Sequence, residues 1–215
     1  MRKNKKEPVL SAEVTVMQTK KTLRYKNADM VNIDITVPQV SLPGPAGKRI
    51  NSFYKLLAAD QMRYAEKKLY GSAVKDYKYR TEHDFPFIPY DFTLSYTVTR
   101  NGSGFLSLFY DIYEYTGGAH GNTVRYGDTW DLAGGWPVPF PVKNRKAVLS
   151  TITAQAKDRE AAQPGTFFPG VEKNVRRYFS PVQYYLTTPG IAVFYQLYTI
   201  APYVAGFIDF TVAPD

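Results

Sequence analysis

Residues 92–113 have the sequence FTLSYTVTRNGSGFLSLFYDIY, which predicts a β-hairpin. Apolar residues at every second position from Phe92 to Val98 alternate strictly with Thr or Ser, the pattern of a strand with one buried and one wet face. Residues 101–104 (NGSG) tolerate positive φ, and Phe105 to Tyr113 returns as the partner strand. A third strand from about Thr123 to Leu132 extends the pair into an antiparallel meander.

The first half of the chain begins with another predicted hairpin. Val9 to Met17 alternates as a strand, and Ala28 to Val37 does so again with four β-branched residues on one side. The two strands are joined around Tyr25-Lys26-Asn27. Pro38 and the proline- and glycine-rich residues 42–47 end the sheet character.

A helix is expected after this hairpin. Apolar residues recur at helical spacing over residues 49–70, and Gly71 is the expected C-terminal cap. Residues 72–89 carry charges and two prolines without a clear period. We expect a connector there, in which Tyr77 and Tyr79 are the candidates for a short edge strand.

The second half ends in further mixed elements. The proline-rich residues 137–141 cannot lie in a central strand. Two helices are expected, from about Asn144 to Ala161, with Val148, Leu149, Ile152 and Ala156 inward, and from Val171 to Phe179. Two or three closing strands are expected at Val182–Leu186, Ile191–Tyr198 and Gly206–Val212. The sequence thus predicts an α+β fold of antiparallel sheets with packed helices, in two sequential subdomains covering residues 1–80 and 81–215.

The net charge of +8 is concentrated near the N-terminus. Eight of the 27 Lys and Arg residues, but only two of the 19 Asp and Glu residues, fall in residues 1–26, so the rest of the chain is nearly neutral. A nucleic-acid-binding protein usually concentrates its basic residues on the folded face that follows the phosphates. We therefore expect no nucleic-acid partner.

Cysteine usage and hydropathy limit the classes of protein further. Cysteine is absent, which removes disulfides, thiolate metal sites and a cysteine nucleophile. The apolar run Ile191–Ile200 is far shorter than the ~20 residues needed to cross a bilayer, so no transmembrane segment is expected. Met1–Lys6 has the charge of the start of a signal peptide, but Glu7-Pro8 follows where its apolar part would begin. No export signal is visible, and the residues alone leave both an exported and a cytoplasmic location open.

Three passages of the second half are distinctive. They are YEYTGGAHG (113–121), YGDTWDL (126–132), and YYLTTPGIAVFYQ (184–196) followed by YTIAPYVAG (198–206). Their order and spacing resemble the C-terminal domain of lysozyme-sensing anti-sigma factors, which also occurs beside the catalytic domain of some peptidoglycan deacetylases. The first half, with GKRIN (47–51) at the head of its predicted helix, is similar to the domain that commonly precedes it.

The resemblance implies an α+β fold and a location outside the cytoplasm, in the bacterial cell envelope. The sigma-binding segment and transmembrane helix of those anti-sigma factors have no counterpart among these residues, and neither does a deacetylase domain. Signalling and deacetylation are therefore not implied. The expected function is that of a non-enzymatic binding or sensor module.

The GGAHG turn (117–121) carries the candidate binding residues. Its three glycines permit positive φ or close backbone approach, and His120 projects one imidazole from a tight connection. His120 is either a ligand contact or acid/base group, or, in the favoured interpretation, a ring that ties the turn to a neighbouring carbonyl or hydroxyl. The candidate ligand- or partner-binding residues are Asp111, Glu114, Tyr115, Gly117, Gly118, His120, Gly121 and Asp128.

No catalytic, metal or cofactor site is predicted. His83 and His120 are the only histidines and lie far apart in the sequence, and no phosphate-binding loop or metalloprotease motif is present. Asp128 and Asp131 are separated by three positions along a strand, which puts them on opposite faces rather than in one acid pair. We therefore expect no enzymatic activity, with a hydrolase using His120 as a minority alternative.

Two kinds of partner remain. Between Ser107 and Gly135 the only base is Arg125, and the acids are Asp111, Glu114, Asp128 and Asp131. As one patch, these acids would steer a basic protein such as an animal-type lysozyme, although they are equally consistent with ordinary solvent-facing positions. Tyrosines near the same turn would instead form a stacking platform for peptidoglycan fragments or another glycan, namely Tyr110, Tyr113, Tyr115 and Tyr126. Burial is the expected role of Trp130, and the oligomeric state is left open.

Overall fold

The computed structural model describes residues 10–214, which form a six-stranded sheet, a three-stranded sheet and flanking helices. The strands are β1 (Glu13–Tyr25), β2 (Ala28–Ser41), β3 (Tyr90–Gly102), β4 (Phe105–Tyr115), β5 (Asn122–Asp131), β6 (Trp136–Pro137), β7 (Tyr184–Leu186), β8 (Ile191–Tyr195) and β9 (Ile208–Val212). The helices are α1 (Pro45–Tyr64), α2 (Tyr70–Glu82), α3 (Arg145–Ala162) and α4 (Val171–Tyr178). The basic segment Met1–Lys6, and Val9 at the start of the first predicted strand, lie outside the described residues. No helix within residues 10–214 is both long and apolar enough to cross a membrane.

The larger sheet has the strand order β1-β2-β3-β4-β5-β6. β1 and β2 form the predicted hairpin, with Lys26 in its turn at φ 53°. β3, β4 and β5 form the predicted antiparallel meander, and Ser103 and Gly104 both adopt positive φ in its first turn. β2 and β3 are parallel neighbours over Val31–Ile35, and the helical segment between them makes the crossover. Alternation of side chains predicts each strand but gives no sign of this long-range parallel pairing.

The α+β class and the two sequential parts are confirmed. In the first part α1 and α2 cover the six-stranded sheet, and in the second α3 and α4 cover the sheet β7-β8-β9. The six-stranded sheet takes strands from both sides of residue 80. Because this sheet spans both predicted subdomains, it marks no boundary between them, and the domain limits 1–80 and 81–215 stay a prediction.

The helical segment of the first part is longer than predicted. Pro45 occupies the first turn of α1, where a missing N–H is tolerated because it has no helical partner. A π-helical turn, Ala65–Leu69, joins α1 directly to α2. Gly71 therefore lies inside a helix, and the predicted cap and edge strand are wrong. The connector predicted at 72–89 is wrong for residues 72–82, which belong to α2, and right for residues 83–89, which have neither helix nor strand. A π turn adds a residue to one helical turn, so the apolar periodicity is interrupted while the helix continues.

β2 also continues past its predicted end. It runs through Pro38 to Ser41. Pro38 pairs with Val16 of β1, whereas the ladder with β3 ends at Ile35. A proline is tolerated at this position because, within residues 10–214, β2 has no hydrogen-bonded neighbour on its β3 side there.

The second part follows the predicted order of elements. Asn144 caps α3, because its Oδ1 accepts a hydrogen bond from the Ala147 amide at 3.0 Å. The residues predicted to point inward are buried, namely Val148, Leu149, Ile152 and Ala156. α4 and the three closing strands lie within a few residues of their predicted positions.

β4 and β5 are covered on both faces. One face is turned to α1, and the other packs against β7 of the second sheet. Ser107 Oγ accepts a hydrogen bond from the Leu186 amide at 2.8 Å, and the rings of Phe109 and Tyr185 lie 5.2 Å apart. Because side chains alternate along a strand, position on β4 or β5 decides whether a residue faces α1 or the second sheet.

Candidate functional site

The GGAHG turn connects β4 to β5 at one end of the larger sheet. Gly117 has φ 83°, in the region that favours glycine. Gly121 has no room for a Cβ atom, which would overlap the ring of Tyr113. Gly118 has neither a positive φ nor a close neighbour among the described residues, so the freedom that glycine permits is not used at this position.

His120 lies among tyrosine rings from the C-terminal segment. Its ring stacks on that of Tyr203, with centroids 4.4 Å apart and planes at 20°, and its Nε2 lies 3.4 Å from the Tyr198 hydroxyl. The Tyr203 hydroxyl donates to the carbonyl of Gly121 at 3.3 Å, across 82 positions of sequence. The GGAHG and APYVAG passages therefore meet in space.

The His120 ring also holds the turn itself. Its Nδ1 lies 2.8 Å from the carbonyl oxygen of Gly121, the kind of contact that the favoured interpretation of the sequence expected. Next to Tyr203 in the short 3-10 turn Tyr203–Ala205, Val204 is 93% exposed. We call the four residues His120, Tyr198, Tyr203 and Val204 the His120 loop surface.

Glu114 lies at the border of this surface and faces α1. Its Oε2 accepts a hydrogen bond from the Tyr64 hydroxyl at 2.8 Å. Burial and the neighbouring Glu114 raise the pKa of the Tyr64 hydroxyl, so that it remains a donor. A cavity of about 380 Å³ lies between these two residues and His120. Tyr115, at the end of β4, lies on the opposite face from Glu114.

Asp111 faces the second sheet, away from Glu114. Its two carboxylate oxygens accept hydrogen bonds from Arg125 Nε at 2.8 Å and Nη2 at 2.7 Å. The same guanidinium lies over the rings of Phe109 and Phe207, at 3.7 and 4.1 Å from their centroids. Because this pair is largely buried and its charges balance, Asp111 does not join Glu114 in one acidic surface.

Asp128 lies on the α1 face of β5, well away from the GGAHG turn. It is six positions along β5 from Asn122, the partner of Glu114, a separation of about 20 Å. Asp128 Oδ2 accepts from the Tyr54 hydroxyl at 3.0 Å, and that hydroxyl accepts from Trp130 Nε1 at 2.8 Å. Burial raises the pKa of the Asp128 carboxyl to about 6, although the hydrogen bond from Tyr54 opposes the change. Trp130 is buried, as predicted.

Asp128 lines a second candidate site, between the start of α1 and the edge formed by β5 and β6. This cleft has a volume of about 610 Å³, and we call it the Asp128 cleft. Its aromatic walls include Phe53 and Trp136, which are 39% and 58% exposed. The Arg49 guanidinium lies 4.3 Å from the Trp136 ring centroid and donates from Nη1 to the Gly134 carbonyl at 2.6 Å.

The sequence did not single out Arg49 or Phe53 as candidate binding residues. Contacts between the first helix and a turn about 85 residues later bring them to the cleft, and no local pattern encodes such contacts. The one available signal was Trp136, one of the two tryptophans of the chain. Among the predicted binding residues, the structure brings His120, Gly121 and Glu114 together, and it places Asp111 and Asp128 elsewhere.

The chemistry of both sites is suited to binding. Among residues 10–214, no three His, Asp or Glu side chains lie together as metal ligands would. Within the described residues Asp128 forms no ion pair, and its carboxylate accepts a hydrogen bond from the Tyr54 hydroxyl. A single buried carboxyl with a raised pKa can accept or donate one hydrogen bond, whereas acid–base catalysis also requires a correctly placed reacting partner. The expectation of no enzymatic activity stays a prediction.

Two family models match parts of the chain. Residues 25–123 match the model described as Deacetylase PdaC, and residues 140–213 match the model described as a protein of unknown function, DUF3298. No curated protein matches the sequence. The order of the two matches agrees with the expected domain and its usual preceding domain, while the link to anti-sigma factor sensors stays a prediction.

Solved structures with a similar fold include two DUF3298 family proteins. A DUF3298 family member from Bacteroides fragilis is 18% identical, with a TM-score of 0.71 over 94% of this chain and 90% of that one. A DUF3298 family protein from Pseudomonas aeruginosa is 17% identical, with a TM-score of 0.59 over 96% of this chain and 91% of that one. At this level of identity the likeness establishes the fold alone.

Proposed function

We propose that this chain is a non-catalytic binding module of the cell envelope that contacts a protein ligand through the His120 loop surface. One observation carries the proposal. Two tyrosines and a histidine, drawn from two distant passages, lie together at one end of the larger sheet, and the almost fully exposed Val204 follows Tyr203 in the chain. Tyrosine is over-represented at the energetic centres of protein interfaces, and a bare apolar side chain beside it gains from being covered.

The surface is also held in place before any ligand arrives. The His120–Tyr203 stack and the Tyr203–Gly121 hydrogen bond hold the turn against the C-terminal segment, and the contact of His120 with the Gly121 carbonyl holds it internally. A surface that is already ordered loses less conformational entropy on binding than a mobile loop does. This order favours recognition by pre-formed contacts.

An animal-type lysozyme is the ligand that the resemblance to anti-sigma factor sensors suggests. Electrostatic attraction contributes little in this proposal, because Asp111 is neutralised by Arg125 and Asp128 is buried with Tyr54. Of the three predicted acidic contacts, only Glu114 borders the His120 loop surface. The chain and a lysozyme are both basic overall, so we expect an affinity that depends on apolar and aromatic contacts and changes little with salt.

The test is calorimetric titration with a catalytically inactive animal-type lysozyme at low and moderate salt. Val204→Asp should weaken binding by about tenfold or more, because it puts a charge into an apolar contact. Val182→Asp is the matched control, since Val182 is also exposed but lies beside β7, outside the His120 loop surface. Equal effects of the two substitutions, or no binding at either salt concentration, would refute the proposal.

A further inference from the structure

The Asp128 cleft combines three features. Exposed aromatic faces, a pair of cations and a buried carboxyl line one space of about 610 Å³. Trp136 and Phe53 keep large exposed fractions although each is in contact with other rings or cations of the cleft. Pockets that bind small ligands typically combine apolar walls with a few convergent polar groups.

The charges of the cleft lie at different places. Lys48 and Arg49 belong to the first turns of α1, and Asp128 belongs to β5. The environment of the Asp128 carboxyl is set by burial and by Tyr54, so the two cations do not act as its partners. The cleft therefore has two separate polar groups. Lys48 and Arg49 can bind an anion, Asp128 can accept a hydrogen bond, and the aromatic walls lie beside both.

We propose that the Asp128 cleft binds an acidic sugar, with the ring packed on Trp136 and Phe53, the carboxylate on Arg49 and Lys48, and an O–H or N–H donor on Asp128. A pyranose ring presents C–H groups on its face and hydroxyl or amide donors at its rim, which suits aromatic walls and a carboxyl acceptor. The Arg49 guanidinium lies 4.3 Å from the Trp136 ring centroid and is anchored on the Gly134 carbonyl, so its orientation is restricted, and its remaining N–H groups suit a planar carboxylate. This proposal is independent of protein binding at the His120 loop surface.

Two kinds of acidic sugar carry both a carboxylate and a donor on the ring, and separate probes distinguish them. N-acetylmuramic acid and glucuronic acid both carry a carboxylate, and only the first carries an acetamido N–H. N-acetylglucosamine and glucose are the matched sugars without a carboxylate. Titration followed by tryptophan fluorescence and by calorimetry should show saturable binding of at least one acidic sugar, about tenfold or more tighter than that of its uncharged match.

Substitutions locate the binding. Arg49→Gln and Trp136→Ala should each weaken binding of the acidic sugar about tenfold or more, and both residues are exposed enough for the fold to tolerate the change. Arg63→Gln removes an exposed arginine from the other end of α1 and should leave affinity within twofold. The proposal is overturned if neither acidic sugar binds saturably, if the uncharged sugars bind equally well, or if Arg49→Gln and Arg63→Gln have the same effect.

Discussion

Replacing Asp128 by asparagine should stabilise the protein at neutral pH. The Asp128 carboxyl has its pKa raised by burial from the usual 3.8 to about 6, which means that the folded state holds the proton more tightly than the unfolded state. The stability contributed by this difference is fully present below pH ~4 and is lost as the pH rises through about 6. At about 1.4 kcal/mol for each factor of ten, ionisation of Asp128 costs about 3 kcal/mol at pH 7.

Asparagine removes this cost and keeps an oxygen that can accept from the Tyr54 hydroxyl. The free energy of unfolding of Asp128→Asn should therefore exceed that of the original protein by about 2–3 kcal/mol at pH 7 and by less than about 0.5 kcal/mol at pH 4. Urea unfolding followed by tryptophan fluorescence at both pH values measures the difference. Asp158→Asn, at an exposed position of α3, is the control and should change stability little at either pH.

The refuting result is a destabilisation at pH 7, or the same difference at both pH values. Either would mean that the carboxylate has a favourable partner in the folded protein that offsets its burial. The predicted result would instead show that the chain retains a buried carboxyl at the expense of stability, which is typical of residues kept for binding.

Three further substitutions test separate parts of the structure by urea unfolding. Gly121→Ala should lower the free energy of unfolding by about 1–3 kcal/mol, because the added Cβ would overlap the ring of Tyr113. Gly118→Ala is the control and should change it by less than about 0.5 kcal/mol. Equal effects of the two substitutions would contradict the close approach at Gly121. Arg125→Lys should lower it by about 1–2 kcal/mol, since a lysine cannot form the two-pronged contact with Asp111, and no loss would show that this contact contributes nothing. Asn144→Ala should lower it by about 1 kcal/mol through loss of the cap of α3, and an unchanged value would contradict that role.

Local patterns predicted most of the secondary structure because they depend on neighbouring residues. Strict alternation placed β3, and the turn at 101–104 placed β4 as its partner strand; Ser103 and Gly104 of that turn adopt the positive φ that the prediction allowed. The errors arose where local signals conflict with tertiary structure. Gly71 carries the residue type of a helix cap, yet the packing of α2 on the sheet keeps the helix intact through it and through the preceding π turn.

The candidate sites were predictable only in part. The resemblance drew attention to the GGAHG and APYVAG passages, but their meeting through His120 and Tyr203 depends on the packing of the two sheets. Alternation along β5 already placed Asp128 on the same face as buried Trp130, which was a usable sign that this acid is not exposed. The cleft beside it could not be inferred, because it requires the start of α1 to lie against the β5–β6 edge.

The central claim is that the His120 loop surface is where a protein ligand binds. Its most direct test is amide hydrogen exchange of the chain with and without a saturating, catalytically inactive animal-type lysozyme. We predict slower exchange in residues 117–121 and 198–206 on complex formation, with residues 48–53 and 134–137 of the Asp128 cleft unchanged. Unchanged exchange in the two loop segments, or protection confined to the cleft, would contradict the claim.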